Sequence, residues 1–175
     1  MLTLIGLWES VREFIATGGD VLYFVAAALF LMWVLMIERY WYLTSVFPGI
    51  RKKIIADWDA RTDITSWHAH RIREAWISQA ADGLTARLLI IRTLVAMCPL
   101  IGLLGTVTGM IGVFETMSTQ GTGNPRLMAA GISMATIPTM AGMVAALSGL
   151  FFSSRLEAKA KMLKEQLVDS LPHTK

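Results

Sequence analysis

Three long apolar runs dominate the pattern of hydrophobic and polar positions in this chain. They cover residues 21–37, 94–114 and 127–154, and none of them contains Asp, Glu, Lys, Arg or His. A helix needs about 20 mostly apolar residues to cross a bilayer. A soluble helical bundle gives no reason for three such uncharged runs in 175 residues. The pattern therefore predicts an all-α membrane protein with three transmembrane helices and long cytoplasmic helical extensions.

The polar stretches complete the expected organisation of the chain. We expect an outer-surface amphipathic helix at 1–18, transmembrane helices at 19–42, 93–115 and 127–154, a cytoplasmic helical segment at 43–92, a periplasmic turn at 116–126 and a cytoplasmic helical tail at 155–175. The alternative for residues 1–18 is an N-terminal extension of the first span. Within the middle segment, Phe47-Pro48-Gly49 predicts a helix break and Asp82-Gly83 predicts a turn.

The basic residues predict the orientation of the spans. Nine lie between the first and second runs and five follow the third, whereas the N-terminal segment and the 116–126 turn carry one each. Because Lys and Arg are enriched in cytoplasmic loops, the N-terminus is expected outside and the C-terminus in the cytoplasm. The net charge of +3 reflects this bias. Basic and acidic residues are mixed along the segments, so no nucleic-acid partner is indicated.

Glycines form a narrow stripe on the second span, and small residues line one face of the third. Membrane helices associate through close backbone contact, because lipid is as apolar as the side chains. We therefore expect the second and third spans to pack as a hairpin, with six glycines at helix contacts: Gly102, Gly105, Gly109, Gly112, Gly131 and Gly142.

Three threonines adjoin these stripes. Thr106 lies beside the glycines of the second span, and Thr136 and Thr139 lie on a face of the third span next to its small residues. Their hydroxyls could line a pore or a proton path. For the third-span threonines, the alternative is that each hydroxyl bonds to a carbonyl of its own helix and does nothing more. The spacing leaves both open.

The spans lack the residues that usually carry ions. Ion pathways in membranes rely on buried ionisable side chains, and the three runs offer no carboxylate or basic group. If the protein conducts protons, the titrating carboxylate must come from another chain. His68, His70 and Glu74 do not make a metal site, and Cys98 has no internal disulfide partner. We expect no metal, no cofactor and no enzymatic activity.

Two motifs resemble a known family. The segment PLIGLLGTVTG, from Pro99 to Gly109, is similar to the second-span signature of the ExbB/TolQ/MotA proton-channel family. Gly131-Ile-Ser, with Thr139 and Gly142, resembles the third-span signature, and Glu38-Arg39 before aromatic residues resembles the end of the first span. The short cytoplasmic segment is most similar to compact ExbB-type members.

The resemblance implies a bacterial inner-membrane protein that forms a homopentamer around a central pore. The pore would hold the helices of an ExbD-like dimer, each with one aspartate, and proton flow would drive a TonB-like protein that energises outer-membrane import of iron chelates, haem or cobalamin. Thr106 and Thr139 match the family's pore-facing threonines. Met134 stands where the family usually has a glutamate. The alternatives are a TolQ-like motor for envelope integrity, a structural scaffold and, least favoured, a stand-alone carrier. Imported cargo and proton versus sodium stay open.

Overall fold

A computed structural model of the chain describes Gly6, Glu9, Arg12 and residues 18–61, 63, 66–120 and 125–172, without the side chains of Gln120 and Leu127. The helix predicted for residues 1–18 lies mostly outside the described residues. Over the described part the fold is all-α and contains no strand. Its helices are α1 (Gly19–Trp41), a π-helical turn (Tyr42–Val46), α2 (Phe47–Asp59), α3 (Trp67–Thr85), α4 (Leu88–Gln120) and α5 (Pro125–Asp169).

Three helical stretches are long and apolar enough to cross a membrane. They cover Gly19–Asp59, Trp67–Thr119 and Met128–Asp169 among the described residues. Each stretch extends well past its apolar run into charged sequence. The protein is therefore a multi-pass membrane protein, and the predicted all-α membrane fold is confirmed.

The helix break expected at Phe47-Pro48-Gly49 was wrong. The helical course continues from α1 through the π-helical turn into α2, with Pro48 in the first turn of α2. A proline is tolerated there because the first N–H groups of a helix have no partner within it. The wider turn before it is closed in part by the Thr44 hydroxyl, which donates to the Tyr40 carbonyl.

The turn expected at Asp82-Gly83 was also placed too early. Helix α3 continues to Thr85, and a two-residue interruption at Ala86 and Arg87, where Arg87 has a φ of 64°, separates it from α4. A left-handed conformation costs an L-residue other than glycine about 1 kcal/mol. Here the Arg87 guanidinium lies 2.7 Å from the Glu38 carboxylate, which stabilises the conformation. The neighbouring Arg39 donates to the Gly83 carbonyl near the end of α3.

The chain divides into two compact units. The first comprises the described residues of Met1–Trp33 and Thr93–Leu150, and its core joins apolar and small side chains of α1, α4 and α5: Leu22, Val25, Cys98 and Ala145. The second comprises those of Val34–Arg92 and Phe151–Lys175. Its buried residues include Leu43, Phe47, Trp58, Leu84, Leu167 and Leu171.

A buried arginine ends α5 in the second unit. Arg73 of α3 donates from Nε to the Leu171 carbonyl at 2.7 Å and from Nη2 to the Val168 carbonyl at 3.0 Å. The last carbonyls of a helix have no partner within it, and a cation near them also favours the helix dipole. This cap therefore ties α3 to the end of the longest helix in the described chain.

Replacing this arginine should destabilise the second unit. Arg73→Met should lower the free energy of unfolding by about 1–3 kcal/mol, because two carbonyls lose charge-assisted partners at a buried site. Thermal unfolding of the purified protein in detergent measures the change. Arg71→Met is the matched control, since Arg71 is 67% exposed and its contacts are with the equally exposed Glu74 and with the Trp67 ring of its own helix. Equal losses in both variants would contradict the capping role.

Candidate functional site

Helices α4 and α5 approach each other through glycines, which we call the glycine seam: Gly102, Gly105 and Gly109 of α4 and Gly142 of α5. A Cβ atom added at Gly102 would lie 2.8 Å from the Pro138 carbonyl oxygen, and one at Gly109 would lie 2.8 Å from the Ala135 Cβ. A Cβ at Gly142 would lie 2.6 Å from the Cys98 carbonyl oxygen. These spaces leave no room for a side chain, so backbone meets backbone along the seam.

Pro138 fills the centre of the seam. Its ring is buried and lies against Gly105, where a Cβ would overlap it. A proline within a helix has no N–H for the carbonyl four residues earlier, and neighbouring helices can compensate for the local loss. The next residue, Thr139, does form a bond across the seam: its hydroxyl donates to the Gly102 carbonyl at 2.9 Å.

The remaining glycines divide into two kinds. Gly131 packs against Val113 of α4, so it extends the contact beyond the seam. No atom of the described residues lies within 4 Å of a Cβ added at Gly112, so these residues give it no packing contact. Gly149 lies where a Cβ would reach within 2.7 Å of Val95 and 2.5 Å of the Met32 sulfur. Gly149 belongs to the row of small residues on one face of the third span, which could have indicated this contact, but it was not among the six predicted contacts.

The three predicted threonines have different hydrogen-bond partners. Thr106 donates to the Leu103 carbonyl at 2.7 Å and Thr136 to the Ser133 carbonyl at 2.8 Å, each within its own helix. Thr139 is the exception, because its partner lies on the other helix. Thr106 and Thr139 are half-buried and Thr136 is exposed. Their pore-lining role stays a prediction.

Thr106 and Thr139 are neighbours in this arrangement. Thr139 bonds to Gly102, and Thr106 follows Gly102 by one turn of α4, so both threonines lie within a turn of one carbonyl. Met134 lies about 140° around α5 from Thr139, at the other edge of the seam, and its side chain is 48% exposed. The altered family position and the two threonines therefore occupy different edges of the hairpin.

The seam offers hydroxyls but no fixed charge. The apolar runs of α4 and α5 contain no carboxylate or basic residue. Among the described residues no group of three His, Cys, Asp or Glu side chains is placed to hold a metal ion. Chemically, the Thr106 and Thr139 hydroxyls already donate to carbonyls of the hairpin, so this edge can accept a hydrogen bond from a polar group on another helix, and it cannot itself exchange a proton at neutral pH.

A methyl group in the seam should separate the two helices. Gly142→Ala should lower the free energy of unfolding by about 1–3 kcal/mol, because the added Cβ meets the Cys98 carbonyl rather than a flexible side chain. Steric-trap unfolding in bicelles measures the change. Gly112→Ala adds the same methyl group to open space and should change the free energy by much less. If Gly112→Ala costs as much, the hairpin does not depend on the seam.

The bond across the seam should contribute modestly to the hairpin. Thr139→Val removes the hydroxyl at nearly constant shape and should cost about 0.6 kcal/mol, the average for such bonds between membrane helices, and no more than the maximum of about 1.7 kcal/mol. Thr139→Ser should retain most of the stability, because Ser can make the same bond. The same unfolding assay compares both. No loss in Thr139→Val would mean that the Gly102 carbonyl needs no second donor.

Comparison with known proteins identifies the family of this chain. Residues 47–168, well over half of the chain, match the model of the MotA/TolQ/ExbB proton channel family. The ExbB-like 1 biopolymer transport protein of Helicobacter pylori is 31% identical over 99 residues, which cover 57% of this chain and 52% of that protein. The biopolymer transport protein ExbB of Aquifex aeolicus is 32% identical over 92 residues, 53% of this chain and 60% of that protein. The matches span about half the length of these relatives.

Proposed function

The chain belongs to the MotA/TolQ/ExbB proton channel family, and we propose that it is the ExbB-type membrane subunit of a motor driven by the proton-motive force. The names of the relatives from Helicobacter pylori and Aquifex aeolicus describe biopolymer transport. In this proposal the protein converts proton flow into movement of a partner and is not an enzyme.

One observation carries the proposal: the two seam threonines lie at one edge of a hairpin whose spans contain no ionisable residue. A proton path through a bilayer requires a titrating group. The hydroxyls at this edge can hydrogen-bond to a carboxyl group that arrives on another helix. We therefore place the helix of an ExbD-like partner, with its aspartate, along the edge formed by Thr106 and Thr139. Thr136, exposed on the next part of α5, would extend that path.

The assembly follows from the same arrangement. We propose a homopentamer whose pore holds an ExbD-like dimer and whose movement reaches a TonB-like protein, energising outer-membrane import of iron chelates, haem or cobalamin. A TolQ-like role in envelope integrity would use the same mechanism with other partners. The distribution of Lys and Arg supports insertion in the bacterial inner membrane with the N-terminus in the periplasm and the C-terminus in the cytoplasm.

Met134 supports the proposal that the titrating carboxylate comes from the partner alone. The exposed thioether at this position cannot exchange protons or pair with a basic group. In this protein, coupling would therefore depend on the partner's carboxylate alone, without the contribution of a glutamate on the third span.

A structural scaffold without ion conduction is the second candidate. It is favoured by one observation, that the hydroxyls of Thr106 and Thr139 already donate within the hairpin. A hydroxyl that donates once can still accept from a protonated carboxyl, so these bonds are compatible with both candidates. The scaffold would assemble and work identically in the presence of an uncoupler, whereas the motor would stop.

Assembly is tested first, by native mass spectrometry of the chain alone and co-expressed with its neighbouring single-span protein. The motor requires a pentamer that takes up two partner copies. A monomer, or an oligomer that never captures a carboxylate-bearing helix, would remove the proton carrier and favour the scaffold.

Proton flux tests the threonines directly. In proteoliposomes that contain both proteins, Thr106→Ala and Thr139→Ala should each reduce flux by about fivefold, the equivalent of one lost hydrogen bond, without preventing assembly. Thr108→Ala is the control, because its hydroxyl also bonds to carbonyls of its own helix but lies about 160° around α4 from Thr106. Wild-type flux in the Thr106→Ala/Thr139→Ala double variant would contradict the assigned role.

A further inference from the structure

Two cations and two aromatic rings meet where the third apolar run ends. Arg155 follows the run directly, and Lys159 lies one turn later on the same face of α5. The Arg155 guanidinium lies 5.3 Å from the centre of the Phe151 ring, and the Lys159 ammonium lies 4.7 Å from the centre of the Tyr40 ring. We call these four residues the basic-aromatic patch. All four belong to the second unit.

The patch lacks an anion of its own. Elsewhere in this unit Arg87 pairs with Glu38 at 2.7 Å and Arg92 pairs with Glu157 at 3.5 Å. Among the described residues, no carboxylate oxygen lies within 4.0 Å of either patch cation, and both make only ring contacts. Glu157 lies between them in sequence but about 160° away around the helix. An anion bound to the patch would therefore come from outside the described residues.

The surroundings indicate what supplies that charge. The Tyr40 ring is 57% exposed and the Phe151 ring is 55% exposed, next to a run that is apolar enough to lie in hydrocarbon. Exposed aromatic rings at the end of a span are typical of the headgroup level of a bilayer. Cations beside them reach the phosphate layer while their aliphatic stems stay against apolar surface.

We propose that the basic-aromatic patch binds the phosphodiester of an anionic phospholipid, such as phosphatidylglycerol, from the leaflet that it faces. Arg155 and Lys159 neutralise the headgroup from two adjacent turns, and the rings of Tyr40 and Phe151 contact its glycerol and upper acyl chains. The proposal depends only on the chain spanning a membrane. It needs neither a partner protein nor proton flow, so it can fail while the motor proposal stands, and the reverse also holds.

Lipid retention in native mass spectrometry tests the site. The detergent-purified chain is mixed with equal amounts of phosphatidylglycerol and phosphatidylcholine, and the ratio of the two retained lipids is measured. We expect the wild type to prefer phosphatidylglycerol. Arg155→Gln/Lys159→Gln should reduce that preference by about 30-fold, the product of about fivefold for each cation near a phosphate surface. Arg155→Lys/Lys159→Arg keeps both charges and should retain the preference, which excludes misfolding as the cause.

The matched control also removes two positive charges from α5, but on another face of the helix. Lys161→Gln/Lys164→Gln lies about 140–160° around α5 from Lys159 and should leave the lipid ratio unchanged. An unchanged ratio in Arg155→Gln/Lys159→Gln, or an equal drop in the control, would overturn the proposal. Displacement of the lipid by inorganic phosphate at equal concentration would indicate a site for free anions instead. An altered oligomer mass with unchanged lipid retention would make the patch a contact between copies of this chain, which also overturns it.

Discussion

The close approach of two backbones in α4 and α5 is the constraint on which the first unit depends. Within a bilayer there is no hydrophobic gain from bringing apolar helices together, so stability must come from contact area and from polar bonds between helices. Gly102 and Gly142 provide the contact, because a side chain at either position would collide with main-chain atoms of the other helix. The Thr139 hydroxyl then reaches the Gly102 carbonyl only because the helices are this close.

The second unit is held together by a different chemistry. Here buried aromatic and leucine side chains provide apolar contact, and arginines satisfy carbonyls that helices leave open. Arg73 closes the end of α5, and Arg39 reaches the end of α3. Each guanidinium lies on a different helix from the carbonyls it bonds, so these bonds fix one polar helix against another. A lysine would lack the fixed planar fork with which Nε and Nη2 of Arg73 reach two carbonyls at once.

The sequence predicts the apolar helices and the hairpin contact well, because both follow from composition and helical spacing. Gly102, Gly105 and Gly109 were predicted at helix contacts, and a Cβ added at any of them would lie within 3 Å of an α5 atom. The positions of the turns were harder to predict, because glycine and proline were read as breakers without their tertiary partners. Gly83 stays helical while Arg39 bonds to its carbonyl, and Arg87 takes the left-handed conformation beside Glu38. Helical spacing also could not predict that Thr139 bonds to the other helix while Thr136 bonds within its own. That difference depends on how far each hydroxyl lies from a carbonyl of α4.

The π-helical turn at Tyr42–Val46 has a consequence for the evolution of this helix. A π-turn is equivalent to one residue inserted into a regular helix, so it advances the phase of everything that follows by about 100°. Leu43 within this turn and Phe47 directly after it are both buried. Deleting one residue here would restore regular hydrogen bonding yet rotate Phe47 and Trp58 away from the interior. The chain is therefore less tolerant of a length change at this turn than a solvent-exposed loop would be, although the backbone itself would accept it.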